Sequence, residues 1–196
     1  TMTFDVQQAT DTYINSLGAE ALAKASAYTT GSHWMLLLGF LISALITWIF
    51  LKFGILDKID VKLNKRSLWL RSFVISGAFI FLSSLLMLPW TIYQDWWREV
   101  SYDKTSQPFL DFLSQGSISL LISSVLGGLF FSGIYYFIRR VGQFWWAWSG
   151  GLATLFITSM MLLGPVLIEP LFNQYTPLPQ GEVREALEVL AKQANI

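Results

Sequence analysis

Four long stretches of this chain carry no charged side chain: Trp34–Leu51, Ser72–Gln94, Phe112–Ile138 and Val141–Ile168. That absence fixes the solvent. A helix rises about 1.5 Å per residue, so roughly 20 apolar residues cross a hydrocarbon core of about 30 Å. Each stretch is near that length or longer. The fold class read from this pattern is all-α: a polytopic membrane protein with four transmembrane helices and an amphipathic helix at each end. The spans are expected at about 33–53, 72–93, 117–138 and 145–168.

Composition narrows the chemistry. Only 13% of the 196 residues are charged, where a soluble domain carries about 25%, and the mean hydropathy is +0.50. The formal net charge is zero, which leaves no basic surface for nucleic acid. With no cysteine, disulfides, thiolate zinc ligands and thiol catalysis are excluded. The single histidine, His33, cannot build a zinc site that needs three or four protein ligands. His33 and Trp34 are instead expected as interfacial anchors. No secretory signal is evident: one basic residue, Lys24, and no apolar core precede His33.

Residues 1–32 form a first segment. Positions 3–30 read as a polar helix near the membrane surface. Phe4, Ile14, Leu17, Ala21 and Leu22 give it a weak apolar face, and Gly31 and Ser32 are expected to break it before the first span. Residues 33–168 form the four-span domain. Its first connection, 54–71, is a basic membrane-flanking loop, a modest candidate for anionic lipid headgroups. Pro89 is expected to kink or end the second span, where Trp90, Tyr93, Trp96 and Trp97 make an aromatic belt. Glycines and serines in the third span predict close packing against protein. Arg139 and Arg140 stop that span, and the short link to Trp145 makes spans three and four an antiparallel hairpin. Residues 169–196 form a proline-rich loop followed by an amphipathic helix from Gly181, with Val183, Leu187 and Leu190 at helical spacing. A single helix of that length is marginal in water, so a soluble domain is expected to follow.

Eight Lys/Arg side chains (Lys52, Lys58, Lys62, Lys65, Arg66, Arg71, Arg139, Arg140) flank one side of the membrane. Five flank the other (Lys24, Arg98, Lys104, Arg184, Lys192). The positive-inside rule then places both termini outside the cytoplasm.

Two polar-flanked stretches are more specific than hydropathy. One is Leu88–Phe112, LPWTIYQDWWREVSYDKTSQPFLDF; the other is Pro165–Ile196, PVLIEPLFNQYTPLPQGEVREALEVLAKQANI. With the span spacing, they resemble the type I CAAX prenyl protease family of zinc metallopeptidases in its bacterial form, over about residues 30–196. The resemblance implies a membrane-embedded zinc metalloendopeptidase of which this chain is the N-terminal part. Its spans would form part of the wall of a water-filled chamber. Catalysis would come from an H-E-x-x-H helix, supplied by missing sequence or by a separate chain. No such motif occurs here, so no catalytic or metal residue is carried over, and the chain alone is expected to be inactive. Zinc would belong to the intact protein, with peptide or protein substrates and membrane lipid as partners, in the bacterial inner membrane. The family's eukaryotic members place the catalytic part in the cytosol, opposite to the charge count. The resemblance marks Arg98, Glu99, Tyr102, Lys104 and Gln107, and in the tail Glu169 and Asn173, as chamber-lining or loop positions. The five in the 94–111 linker would line the chamber, cap one end, or form a solvated interfacial loop. Two other classes compete: a non-enzymatic membrane scaffold complete in itself, and a small transporter. The lack of ionisable residues inside the spans weighs against transport.

Overall fold

The computed structural model describes residues 6–173 and 181–193. Every element among them is helical. In chain order these are α1 (Val6–Ser16), α2 (Gly18–Phe53), α3 (Ile55–Lys62), α4 (Leu68–Thr91), α5 (Arg98–Ser101), α6 (Phe109–Arg140), α7 (Trp145–Leu163) and α8 (Glu182–Gln193). Four helical stretches are long and apolar enough to cross a membrane: Gly18–Phe53, Leu68–Ser101, Phe109–Arg140 and Gly142–Leu171. The chain divides into two compact units, Thr1–Leu152 and Ala153–Ile196.

The first unit is built around α4 and α6, and its interior reverses the pattern of a soluble protein. Ser72, Ser76 and Ser132 are buried, while Leu36, Leu51 and Leu110 are each more than 70% exposed. Small residues let two helix backbones approach closely where lipid provides no hydrophobic drive between them. Gly128 shows how closely. A Cβ there would meet the Phe73 ring at 3.0 Å and the Phe73 backbone carbonyl at 3.1 Å. Ser132, fully buried, satisfies its hydroxyl by donating to the Gly128 carbonyl one turn earlier, at 2.7 Å. The close-packed reading of the third span is therefore what the structure has.

α2 joins this pair through Phe50, which is buried and meets the Phe79 ring edge-on at 5.3 Å. α6 and the start of α7 touch through Phe137 and Trp148, 5.7 Å apart. At the end where α3 enters α4, Ser67 caps α4 by accepting from the Leu70 amide at 3.3 Å.

Three expectations need correction. Gly31 and Ser32 do not break the N-terminal helix, because α2 runs unbroken through both. The break falls instead at Leu17 and Gly18, where Gly18 adopts a φ of 82°, a conformation that suits glycine. Of the kink or end expected at Pro89, the end does not occur. Pro89 lies inside α4, whose helix continues as a wider π-turn over Ile92–Trp97 and then as α5. A membrane helix tolerates an interior proline where neighbouring helices, side chains or local backbone adjustments re-satisfy the freed groups. The 94–111 linker is consequently helical as far as Ser101, and only the stretch before Phe109 is loop.

In the second unit, α7 gives way at Gly164 and Pro165 to a π-turn, Gly164–Ile168, and a short 3-10 turn, Glu169–Leu171. The interruption expected at Gly164-Pro165 is therefore present. The amphipathic C-terminal helix is α8. Most of the proline-rich loop, 174–180, lies outside the described residues.

Candidate functional site

The polar residues of the α4–α6 connection converge on one face of α2. Lys24, Tyr28 and Ser32 recur every four residues there, so they form a single stripe along the helix. Arg98 lies at the start of α5 with only 6% of its surface exposed, and its guanidinium reaches that stripe. Nη2 donates to the Tyr28 carbonyl oxygen at 2.5 Å and to the Ser32 hydroxyl at 3.0 Å. The cation also sits 4.2 Å from the Tyr28 ring centre and 5.4 Å from that of Tyr102. A buried cation is costly unless it is paired and hydrogen-bonded. Here two oxygens, two π faces and the Glu99 carboxylate, 3.9 Å from Nη1, share the compensation.

Glu99 closes the arrangement. Its Oε1 accepts from the Tyr28 hydroxyl at 2.6 Å, and the Tyr28 and Tyr102 rings meet edge-on at 5.1 Å. Lys104 contributes an ammonium 5.1 Å from the Tyr28 ring. Its backbone amide donates to the Glu99 carbonyl at 2.8 Å, which folds the chain back after α5. Asp103 takes the left-handed conformation in this turn, with φ of 56°, and pairs with Lys24. That pairing holds the Asp103 carboxyl below the usual carboxylate range.

Gly31 has its physical reason in this cluster. A Cβ there would meet Arg98 Nη2 at 3.0 Å, so the missing side chain opens the space in which the guanidinium reaches α2.

Of the positions marked from sequence, the structure brings Arg98, Glu99, Tyr102 and Lys104 together. Gln107 stands apart from them and acts through its backbone: its carbonyl accepts from the Trp96 indole at 2.9 Å, and its amide donates to Thr105 Oγ1 at 3.1 Å. Glu169 and Asn173 belong to the second unit, where the Glu169 carbonyl accepts from the Phe172 and Asn173 amides at 3.0 Å each. Sequence reading missed Lys24, Tyr28 and Ser32. Their fourfold spacing was the available signal.

The described residues do not fit a catalytic metal. Among them no three His, Cys, Asp or Glu side chains converge, and His33 stands exposed on α2 beside Trp34. The cluster's own chemistry is that of a clamp: every charged group in it is engaged in holding α2 to the α4–α6 connection.

Residues 6–174 match a family described as CAAX prenyl protease N-terminal, five membrane helices. The described residues carry four helices of membrane-crossing length. The CAAX prenyl protease 1 homolog of Oryza sativa subsp. japonica is 27% identical over 146 residues, covering 74% of this chain and 34% of that protein. The Uncharacterized metalloprotease YhfN of Bacillus subtilis (strain 168) is 26% identical over 178 residues, covering 89% of this chain and 41% of its own. The CAAX prenyl protease 1 homolog of Homo sapiens is 31% identical over 114 residues, covering 56% and 23%. The chain thus spans less than half the length of each of these relatives.

Proposed function

From the premise that this chain belongs to the CAAX prenyl protease N-terminal family, we propose that it is the membrane wall of a zinc metalloendopeptidase. It is an integral, multi-pass membrane domain, and its relatives are named as proteases. In the proposed whole protein, the spans enclose part of a chamber, and zinc is held by residues outside this chain. Peptides are the substrate class, and the zinc, held by residues outside this chain, would supply the chemistry of peptide-bond hydrolysis. The likeness to the Bacillus subtilis metalloprotease supports a place in a bacterial cell membrane.

The observation that carries this reading is the commitment of Arg98. A chemically versatile cation, nearly fully buried, is spent on joining α2 to the connection between α4 and α6. In the proposed whole protein, the Arg98, Glu99, Tyr102 and Lys104 group caps one end of the wall. The chain builds the enclosure, and the reaction belongs to the metal-bearing portion.

The test compares peptide cleavage by residues 1–196 with cleavage by the protein extended through the coding sequence after Ile196, both purified in detergent with added zinc. Turnover is expected only from the extended protein. Zinc-dependent cleavage by residues 1–196 at a comparable rate, or a gene that ends at Ile196, would contradict the proposal.

A further inference from the structure

At the opposite end of the α4–α6 pair, a cavity of about 310 Å³ opens between α3, α4 and α6. Its polar lining is Asp57, Asp60, Arg71, Ser72, Tyr135 and Arg139. Two of these charges neutralise each other. The Arg71 guanidinium grips Asp60 with both arms, Nε to Oδ1 at 2.8 Å and Nη2 to Oδ2 at 2.6 Å, a bidentate pair. Two charges remain uncommitted. Among the described residues Arg139 has no carboxylate partner. It directs Nη1 and Nη2 at the Ser72 hydroxyl, 3.1 Å from each, and that hydroxyl donates to the Leu68 carbonyl at 2.9 Å. Asp57, in the first turn of α3, has no cationic partner among the described residues and supplies the opposite charge.

A guanidinium carries five N–H donors in a planar fork suited to phosphate, and two are spent here on a single neutral oxygen. The apolar part of the lining is Leu56, Leu68 and Ile75, and α4 and α6 carry further exposed leucine and phenylalanine side chains. We propose that this cavity seats an aminophospholipid headgroup. Arg139 holds the phosphodiester beside Ser72 and Tyr135, and Asp57 faces the primary ammonium. The acyl chains continue along the apolar surface of α4 and α6. The balanced lining favours a zwitterionic headgroup over a purely anionic one, and the three apolar lining side chains favour lipid over free phosphate.

Native mass spectrometry of the 196-residue chain in detergent tests this with dioleoyl phosphatidylethanolamine, phosphatidylglycerol and diacylglycerol. Retention is expected to fall in that order. Arg139→Gln is expected to weaken both phospholipids about tenfold, as loss of a charge-assisted contact does, while Arg139→Lys keeps most of the binding and the neighbouring Arg140→Gln all of it. Asp57→Asn is expected to weaken phosphatidylethanolamine alone. Circular dichroism of each variant separates lost binding from lost fold, and the Lys variant tests the charge should the Gln variant misfold. Unchanged phosphatidylethanolamine retention in folded Arg139→Gln, or equal retention of diacylglycerol, would overturn the site. An unchanged lipid order in Asp57→Asn would overturn the ammonium contact. Full displacement of bound lipid by inorganic phosphate at equal concentration would overturn the lipid source.

Discussion

The guanidinium of Arg98 and residue Tyr28 are bound twice: Nη2 donates to the Tyr28 carbonyl oxygen at 2.5 Å, while the cation lies 4.2 Å from the Tyr28 ring. Seventy positions apart in sequence, the two residues join α2 to the far end of the second span. Among the described residues this is a polar link between helices in a domain packed largely through small, aliphatic and aromatic side chains.

Arg98→Ala is therefore expected to destabilise the domain by about 2–4 kcal/mol, the scale of losing charge-assisted hydrogen bonds together with a cation–π contact. Arg98→Lys is expected to recover less than half, because an ammonium lacks the planar fork. Tyr28→Phe keeps the ring and the carbonyl and loses only the bond to Glu99, at about 1 kcal/mol. Unfolding of the detergent-solubilised protein by heat or denaturant ranks the three. Equal stability of Arg98→Ala and the unaltered chain would show that the clamp is ornamental.

The α4–α6 seam makes a paired prediction. Gly128→Ala places a methyl group 3.1 Å from the Phe73 backbone carbonyl, which cannot move aside cheaply. It is expected to cost about 1–3 kcal/mol by overpacking. Gly116→Ala, in the same helix but with nothing within 4 Å, is expected to be neutral or to gain up to about 1 kcal/mol from helix propensity. Thermal unfolding of the two variants side by side separates packing from propensity.

Much of this fold was legible because lipid leaves few choices. Uncharged runs such as Trp34–Leu51 and Ser72–Gln94 must be helical, since a backbone in hydrocarbon must satisfy its own hydrogen bonds. The motifs around Leu88–Phe112 and Pro165–Ile196 pointed to the family that the comparison over residues 6–174 then showed. Local punctuation was the weaker guide. Glycine and proline both weaken helices, so a break at Gly31 and a kink or end at Pro89 were expected. In α2, Gly31 clears a path for a guanidinium, and in α4 the turn after Pro89 widens instead of ending. Of the site, Arg98, Glu99, Tyr102 and Lys104 were marked from the sequence. Their partners were not, because the contact between Tyr28 and Arg98 depends on how α2 lies against α4, which helical periodicity alone does not specify.

Acid should loosen the α3–α4 link. The Arg71 guanidinium hydrogen-bonded to Asp60 holds that carboxyl below its ordinary value. A carboxyl depressed in the folded state contributes stability that is fully present above the unfolded pKa of about 3.9 and is lost as pH falls through the folded value. The thermal midpoint is thus expected to be flat with respect to this pair from neutral pH to about pH 5, and to drop below about pH 4. Asp60→Asn is expected to lower the neutral midpoint and shrink the acid-dependent drop. Its side chain is 37% exposed, so the effect is modest and weakens with salt. Identical pH profiles for the two proteins would contradict the assignment.

In the proposed whole protein, this chain encloses a zinc site made by residues outside it. Metal content after dialysis against a weak chelator tests it most directly, measured on residues 1–196 and on the protein extended past Ile196. One tightly held zinc per extended protein is expected and none retained by residues 1–196, with His33→Ala changing neither. One zinc retained by residues 1–196, and lost on His33→Ala, would contradict it.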